Sequence, residues 1–155
     1  MFLRLVRRIA IKFLLAEGCY FRRKLSLIPM VVGPPERVTI EPGADLQDAI
    51  LNVNSGLINI GKDSFCGHGV MILTGTHNPD FFGRERQQDH PKEGFDIKIG
   101  CGVWIGSGAI LLGGIEICDH SVIAAGAIVT KSILQPGIYA GCPAKLVRPL
   151  HETLK

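Results

Sequence analysis

The chain has 155 residues, the length of a single domain, and 46% of them are hydrophobic, which is enough to form a core. The net charge of +3 is small and no dense basic stripe with interleaved aromatic residues occurs, so the composition argues against a nucleic-acid partner. A mildly positive chain does suit a small anionic ligand. Charged residues make up only 20%, whereas glycine is abundant with 19 copies, and both values fit the repeat described below.

The five cysteines indicate free thiols. Neither a CxxC pair nor a zinc-like spacing with histidine occurs among Cys19, Cys66, Cys101, Cys118 and Cys142. Small buried thiols are therefore a better interpretation than disulfides or metal ligands, and no metal site is predicted. Because free thiols favour a reducing compartment, we expect a cytoplasmic protein, with the inner face of the membrane as the other location considered.

Residues 1–36 are predicted to form an amphipathic helical segment and a proline-containing linker. Basic residues recur at intervals of four at Arg4, Arg8 and Lys12, and apolar residues cover most of the remaining surface. The charges interrupt every apolar run, so we expect neither a membrane span nor a signal peptide. Two interpretations stay open: the helix caps the repeat or packs between subunits, or residues 1–16 contact an anionic membrane surface.

Residues 37–134 carry a six-residue repeat, which begins irregularly and becomes constant after residue 97. An aliphatic leading residue stands at every sixth position, at Ile99, Ile105, Leu111, Ile117, Ile123 and Val129. A second residue of modest size follows each by four positions, at Val103, Ala109, Ile115, Ser121, Ala127 and Ile133. The same register starts earlier, at Ile60, Cys66 and Ile72. A period of six is typical of a parallel β-helix, in which three hexapeptides close one triangular coil.

Glycines punctuate this repeat. Gly100 and Gly106 directly follow a leading residue, and Gly102 and Gly108 stand three positions after one. We expect a flat strand and then a sharp corner, where glycine permits a positive φ that other residues resist. Strands of an ordinary sandwich alternate with period two between variable turns, so the constant spacing argues against that fold.

Residues 77–96 break the register with a polar segment, and residues 135–155 form a C-terminal segment after the repeat. Insertions in repeat proteins form loops on one face and often carry function. His77 stands where the strand ILTGT leaves the coil, anchored on one side and open on the other, as a catalytic base needs to be. Asp80, Arg84 and His90 in the same segment are candidate substrate-binding residues.

Three strings, TGTHNPD, IGCGVWIGSGAILLGGIEICDHSVIAAGAIVTKSI and AGCPAKLVR, resemble the hexapeptide-repeat O-acetyltransferases, which include galactoside, maltose, nodulation-sugar and polysaccharide-assembly enzymes. The resemblance covers about residues 58–149. It implies an all-β fold, a left-handed parallel β-helix with an active-site loop. The N-terminal amphipathic helix predicted above would precede this β-helix. The resemblance also implies a homotrimer with active sites between subunits, acetyl-CoA as the donor and a sugar or glycan hydroxyl as the acceptor.

The resemblance further implies roles for individual residues. His77 matches the general base of the family. The positions expected to contact the coenzyme are Ser107, Ala125, Thr130, Lys131, Lys145 and Arg148. The backbone N–H of Ser107 would meet the thioester carbonyl, and Trp104 matches a wall of the acceptor site. One departure is Asn78, which stands between His77 and the proline that directly follows the histidine in many relatives.

Three alternatives stay open at this point. The DHPK string around His90 resembles the serine acetyltransferases, which would make an amino-acid hydroxyl the acceptor. A zinc enzyme of the γ-carbonic anhydrase type needs three converging histidines, and the spacing of His68, His77, His90 and His120 does not provide the required close pair. A non-catalytic β-helix trimer is the third alternative. The identity of the acceptor and the length of the acyl group are left open, and His68 and His120 are expected to be structural.

Overall fold

The computed structural model describes residues 28–150, so the helix predicted near the N-terminus lies outside the described residues. In chain order the strands are β1 Met30–Val32, β2 Val38–Ile40, β3 Ile50–Asn52, β4 Ile58–Ile60, β5 Phe65–Cys66, β6 Met71–Leu73, β7 Ile97–Ile99, β8 Trp104–Ile105, β9 Ile110–Leu112, β10 Ile115–Ile117, β11 Val122–Ile123, β12 Ile128–Val129, β13 Gly137–Ala140 and β14 Lys145–Pro149. A 3-10 helix covers Pro35–Arg37, and helix α1 covers Gly83–Gln88. No helix in the described range is long and apolar enough to cross a membrane.

The strands stack into three sheets, which form the three faces of a parallel β-helix. Face 1 consists of β1, β3, β6, β9 and β12, face 2 of β2, β4, β7 and β10, and face 3 of β5, β8, β11, β13 and β14. Every pairing is parallel except that of β14 with β13. Each coil passes through faces 2, 3 and 1 in turn, and Ile60, Ile99 and Ile117 stack directly on one another. The predicted β-helix is confirmed.

The interior is filled by the two residue classes that the repeat predicts. All six leading residues and all six second residues from Ile99 to Ile133 are buried, with at most 4% of their surface exposed. Successive coils lie one strand spacing apart, about 4.8 Å, so each side chain packs on its counterpart in the next coil. Cys66 occupies a leading position, and burial, with a smaller effect from Asp45, raises the pKa of its thiol to about 12. This cysteine is therefore a core residue.

The corners confirm one of the two expected roles of glycine and correct the other. Gly102 and Gly108, three positions after a leading residue, have φ of 61° and 68°, and His120 adopts 59° at the equivalent place. Gly61, directly after a leading residue, does not have a positive φ. A Cβ on Gly61 would lie 2.6 Å from the carbonyl carbon of Gly100 in the next coil. Glycine is needed there because two backbones approach closely.

The β-helix extends beyond residues 37–134 at both ends. Strand β1 pairs with β3 on face 1, and β13 pairs with β11 on face 3. Ile105 and Ile123 are stacked 18 residues apart, whereas Ile123 and Tyr139 are stacked 16 residues apart. The last coil is therefore two residues shorter, which removes it from the period of six. Helix α1 lies in the segment 77–96, which was expected to be entirely loop.

The close approach at Gly61 generates a stability prediction. We expect Gly61→Ala to reduce the free energy of unfolding by about 3 kcal/mol, because the added Cβ must push two coils apart. Gly114→Ala is the matched control: Gly114 has φ of 78° but open space around its Cβ position. It should cost only the backbone strain of about 1–2 kcal/mol. Denaturant unfolding of both variants measures the difference, and equal losses would contradict the close-approach explanation.

Candidate active site

The segment 77–96 leaves and rejoins the β-helix at the corner between faces 1 and 2, called here the His77 corner. Both ends of the segment form hydrogen bonds with residues 55–57, which lie at the same corner one coil earlier. The Oγ1 of Thr74 accepts a hydrogen bond from the N–H of Ser55 at 3.2 Å, and the N–H of Phe95 donates to the carbonyl of Ser55 at 3.1 Å. The carboxylate of Asp96 accepts from the N–H of Leu57 at 2.8 Å. The rigid wall therefore fixes where the loop begins and ends.

His77 lies at the start of this loop and is exposed. Its Nδ1 is 2.9 Å from the backbone carbonyl oxygen of Arg86. Because a carbonyl only accepts, Nδ1 carries the proton and donates, which leaves Nε2 of the neutral ring with a free lone pair. An imidazole held in this tautomer can accept a proton from a ligand, which is what a general base requires.

Arg86 holds the loop in the shape that His77 needs. Its guanidinium donates through Nε to the carbonyl of Phe81 and through Nη2 to that of Pro79 at 2.9 Å. The same group lies 5.1 Å from the ring centre of Phe82, in a cation–π contact. Arg86 was not identified from the sequence, although the spacing of four between Phe82 and Arg86 is a signal for such a contact on a helix.

A pocket of about 290 Å³ opens beside His77. It is lined by Asn52, Asn54, Gly75, Thr76, His77, Gln87 and His90. The ring centres of His77 and His90 are 6.0 Å apart, and Lys92 Nζ contacts His90 Nε2. The amide side chains were not predicted, but Asn52 interrupts a column of face 1 whose neighbours on either side are Val32 and Leu73. Amides that both donate and accept suit a ligand rich in hydroxyl groups.

Three other predicted substrate residues are not brought into this pocket. Asp80 and Arg84 are exposed and do not line it. Trp104 lies on face 3, half exposed, where it stacks on Phe65 with ring centres 5.9 Å apart. Within one chain, His90 is therefore the predicted substrate residue that shares the pocket with His77.

A second set of predicted residues lies at the corner between faces 3 and 1, called here the Ser107 corner. Asp48, His68, Ser107 and Ala125 occupy equivalent positions there, two residues after a buried leading residue, in successive coils. The carbonyl of His68 accepts from the N–H of Gly108 at 2.8 Å, one of the bonds that hold adjacent coils together. The exposed column runs along the edge of face 1 opposite to the His77 corner.

Within residues 28–150, the backbone N–H groups of Ser107 and Ala125 have no hydrogen-bond acceptor, unlike that of His68 in the same column. At the equivalent position one coil earlier, the N–H of His68 donates to the side chain of Ser107 at 3.2 Å. At the corner between faces 2 and 3, the N–H of Cys101 donates to the carboxylate of Asp119 at 2.8 Å. The next coil offers Ser107 only Ala125, which has no side-chain acceptor, and its N–H has no acceptor within residues 28–150. This donor is available to a ligand.

The predicted phosphate-binding residues lie toward the C-terminal end of the β-helix. Lys145 pairs with Ala140, where β13 reaches the Ser107 corner, and Arg148 pairs with Ile138 further along β14. Thr130 and Lys131 follow β12 at the His77 corner. All four are exposed. Apart from Arg148 on face 3, the residues expected to contact the coenzyme are thus divided between two corners of one chain.

The described histidines do not form a metal centre. Between residues 28 and 150, no group of three or more His, Cys, Asp or Glu side chains is placed to hold a metal ion. His68 and His120 lie at different corners, and His68 contacts Asp48. The arrangement offers proton transfer at His77 and a free N–H at Ser107.

Comparisons with known proteins find similar sequences and structures. Residues 96–131 match the family model described as bacterial transferase hexapeptide (six repeats). Serine acetyltransferase 2 of Arabidopsis thaliana is 34% identical over 115 residues, which cover 74% of this chain and 33% of that protein. Galactoside O-acetyltransferase of Escherichia coli is 45% identical over 58 residues, 37% of this chain and 29% of that protein. The chain spans less than half the length of these curated relatives.

Solved structures share the fold. The crystal structure of a maltose O-acetyltransferase from Clostridium difficile superposes with a TM-score of 0.57 at 27% identity, covering 81% of this chain and 68% of that one. Other solved chains of this architecture hold acetyl coenzyme A or coenzyme A. The architecture is the left-handed parallel β-helix that was predicted. By its repeat, its fold and these similarities, the chain is similar to the hexapeptide-repeat transferases, whose family model its residues 96–131 match.

Proposed function

We propose that the protein transfers an acetyl group from acetyl-CoA to a hydroxyl of a sugar or glycan, with His77 as the general base. The observation that carries the proposal is the hydrogen bond from His77 Nδ1 to the carbonyl of Arg86, beside a pocket lined by amides. The galactoside and maltose acetyltransferases among the similar proteins support a sugar acceptor. The neighbours that hold acetyl coenzyme A or coenzyme A support the donor.

The outer surfaces of the faces support a homotrimer. The first residues of the strands of face 1 form an apolar outward column of Met30, Ile50, Met71, Ile110 and Ile128. The outward column of face 2 is polar, with Thr39, Asn59, Lys98 and Glu116. Face 3 also has an apolar outward column, which consists of Phe65, Trp104, Val122 and Ile138. Face 1 is the face with the His77 corner at one edge and the Ser107 corner at the other. Three copies of face 1 around an axis parallel to the β-helix would cover one another.

This arrangement would complete the active site. The His77 corner and the Ser107 corner are the two edges of face 1, so around a threefold axis the His77 corner of each protomer meets the Ser107 corner of the next. The groove between them would hold His77 and Lys131 from one protomer, and Ser107, Ala125 and Lys145 from its neighbour. A site divided between two corners of one chain becomes a single site between two chains.

The residues of this groove fit coenzyme A. Ser107 and Ala125 are small and exposed, which leaves room for a narrow arm along the corner. Lys131 and Lys145 lie toward the same end of the groove, where they would bind phosphate groups as point charges. His77 follows β6 and Lys131 follows β12, which is two coils further along face 1. The two residues are therefore about 10 Å apart along the axis of the β-helix. The cations and the proposed base are therefore at different levels of one groove.

The reaction follows from these positions. His77 Nε2 takes the proton of the acceptor hydroxyl as its oxygen attacks the thioester carbonyl carbon, a form of catalysis worth about 10²–10⁴ in rate. The N–H of Ser107 stabilises the oxyanion that forms, typically by about 3 kcal/mol. The C–S bond then breaks, and the His77 imidazolium returns the proton to the departing thiolate. No covalent enzyme intermediate is needed.

An amino-acid acceptor is the second candidate. Its support is the similarity to serine acetyltransferase 2 and the position of His90 in the pocket, with Lys92 beside it as a cation for a carboxylate. An acceptor screen that follows coenzyme A release with sugars and with serine separates the two candidates. We also propose a cytoplasmic location, because Cys66, Cys101, Cys118 and Cys142 are free thiols.

Removal of the imidazole tests the role of His77. We expect His77→Ala to bind acetyl-CoA normally and to turn over at least about a hundredfold more slowly, since the hydroxyl loses its proton acceptor. Coenzyme A release measures turnover, and calorimetry measures binding of the donor. His90→Ala serves as the control within the same pocket. Turnover unchanged in the His77 variant, or lost only in the His90 variant, would contradict the assignment.

The free N–H of Ser107 can be tested at Ala125. We expect Ala125→Ser to lower kcat at saturating acetyl-CoA at least about tenfold, because the new hydroxyl captures the N–H that would stabilise the oxyanion. Ala125→Gly is the control, since glycine supplies no acceptor and is no larger. A kcat that falls equally in both variants would show that the N–H is not the group affected.

A charge on face 1 tests the assembly. We expect Ile110→Glu to convert the trimer into monomers and to abolish turnover, since a carboxylate would be buried without a partner and each site needs two chains. Light scattering after size-exclusion chromatography measures the mass in solution. Lys98→Glu on polar face 2 is the control and should remain trimeric. A wild-type protein that is monomeric yet fully active would contradict the shared site.

A further inference from the structure

His68 forms an oriented pair with Asp48 at the Ser107 corner. Its Nδ1 is 3.2 Å from Asp48 Oδ1, which also accepts the N–H of Gly69 at 2.9 Å. The hydrogen bond from Gly69, helped by the contact with His68, holds the pKa of Asp48 below its ordinary value. A carboxylate only accepts, so Nδ1 of His68 carries the proton and Nε2 of the neutral ring is free. The side chain of His68 is 66% exposed, far more than packing requires.

His68 lies at the same level along the β-helix as His77. His68 follows β5 and His77 follows β6, and these two strands belong to the same coil. The two residues lie at opposite edges of face 1. Rotation about an axis parallel to the β-helix preserves the level of each residue, so the proposed trimer brings His77 of one protomer opposite His68 of the next. The inference below therefore rests on the proposed function.

The order of residues in the Ser107 corner shows what His68 would meet. Lys145 lies at one end of the corner, followed by Ala125 and then by Ser107, where the thioester carbonyl would bind. His68 is one coil beyond Ser107, and its N–H donates to the Ser107 side chain. This is the side of the thioester away from the phosphate-binding residues. An acceptor bound there would lie between the two imidazoles.

We propose that His68, held by Asp48, is an acceptor-binding residue that the neighbouring protomer supplies to each active site. His77 takes the proton of the hydroxyl that is acetylated, and His68 Nε2 accepts a hydrogen bond from a second hydroxyl of the same molecule. The preferred acceptor is consequently a molecule with a second hydroxyl close to the reacting one, as in a sugar ring. An acceptor with a single hydroxyl would leave His68 without its partner.

Steady-state kinetics with defined acceptors test the proposal. The probes are methyl hexopyranosides and their monodeoxy analogues. In His68→Asn we expect the KM for the best hexopyranoside to rise at least about fivefold, which corresponds to one lost hydrogen bond, with the KM for acetyl-CoA unchanged. For the deoxy analogue that lacks the second hydroxyl and that the wild type uses poorly, the KM should be the same in the variant as in the wild type. His120→Asn is the matched control, since His120 lies at the corner between faces 2 and 3.

Mixed trimers test whether His68 acts across the interface. His77→Ala chains and His68→Asn chains are coexpressed with different tags, and trimers that carry both tags are purified. A His68→Asn chain still has His77, and a His77→Ala chain still has His68. Where these two residues meet across an interface the site is intact, so part of the activity should have the wild-type KM for the acceptor. If only the raised KM is seen, the proposal that the neighbour supplies His68 is wrong.

The remaining outcomes separate this inference from the proposed function. A His68→Asn variant with an unchanged acceptor KM, alongside an inactive His77→Ala variant, overturns the role of His68 and leaves the proposed reaction standing. A variant in which only the KM for acetyl-CoA rises also overturns it. Full activity of His77→Ala, or no transfer to any hexopyranoside, contradicts the proposed function itself.

Discussion

The stacking of one coil on the next, at a single strand spacing, is the constraint on which the rest of the structure depends. Inward aliphatic side chains of each coil rest on those of the next, and the corners are so tight that Gly61 has no room for a Cβ. Such a wall cannot be distorted locally without separating two backbones. Side chains at its corners are therefore held at fixed positions along the axis of the β-helix. The candidate site depends on these positions.

The sequence predicted the wall well because its physical rule is periodic. A leading residue every sixth position, with a second residue four places later, accounts for every buried residue from Ile99 to Ile133 except Gly106. The rule failed where a coil has another length: Tyr139 is stacked on Ile123 after 16 residues, and β1 lies in the region assigned to a linker. Periodicity identifies a repeat only where successive coils have the same number of residues.

The location of the candidate site follows from the sequence more directly than its contacts do. His77 was identified by its place at the end of a strand, which periodicity reveals. The carbonyl of Arg86, which fixes the tautomer of His77, was not, because it depends on how the loop folds back through its own guanidinium contacts. Family resemblance pointed to the N–H of Ser107, and the structure adds that the side chain of Ala125, one coil later, offers this N–H no acceptor. His68 was expected to be structural, although it is exposed and paired with Asp48.

The uniform rise of the coils has a consequence for the proposed binding of a coenzyme. The height between His77 and the lysines near the C-terminal end is set by a whole number of coils and changes only in steps of about 4.8 Å. A coenzyme of fixed length would therefore fit only one number of coils between the proposed base and these lysines. The segment after His77 lies outside the stacked coils, so its length can vary without changing the distance between these levels.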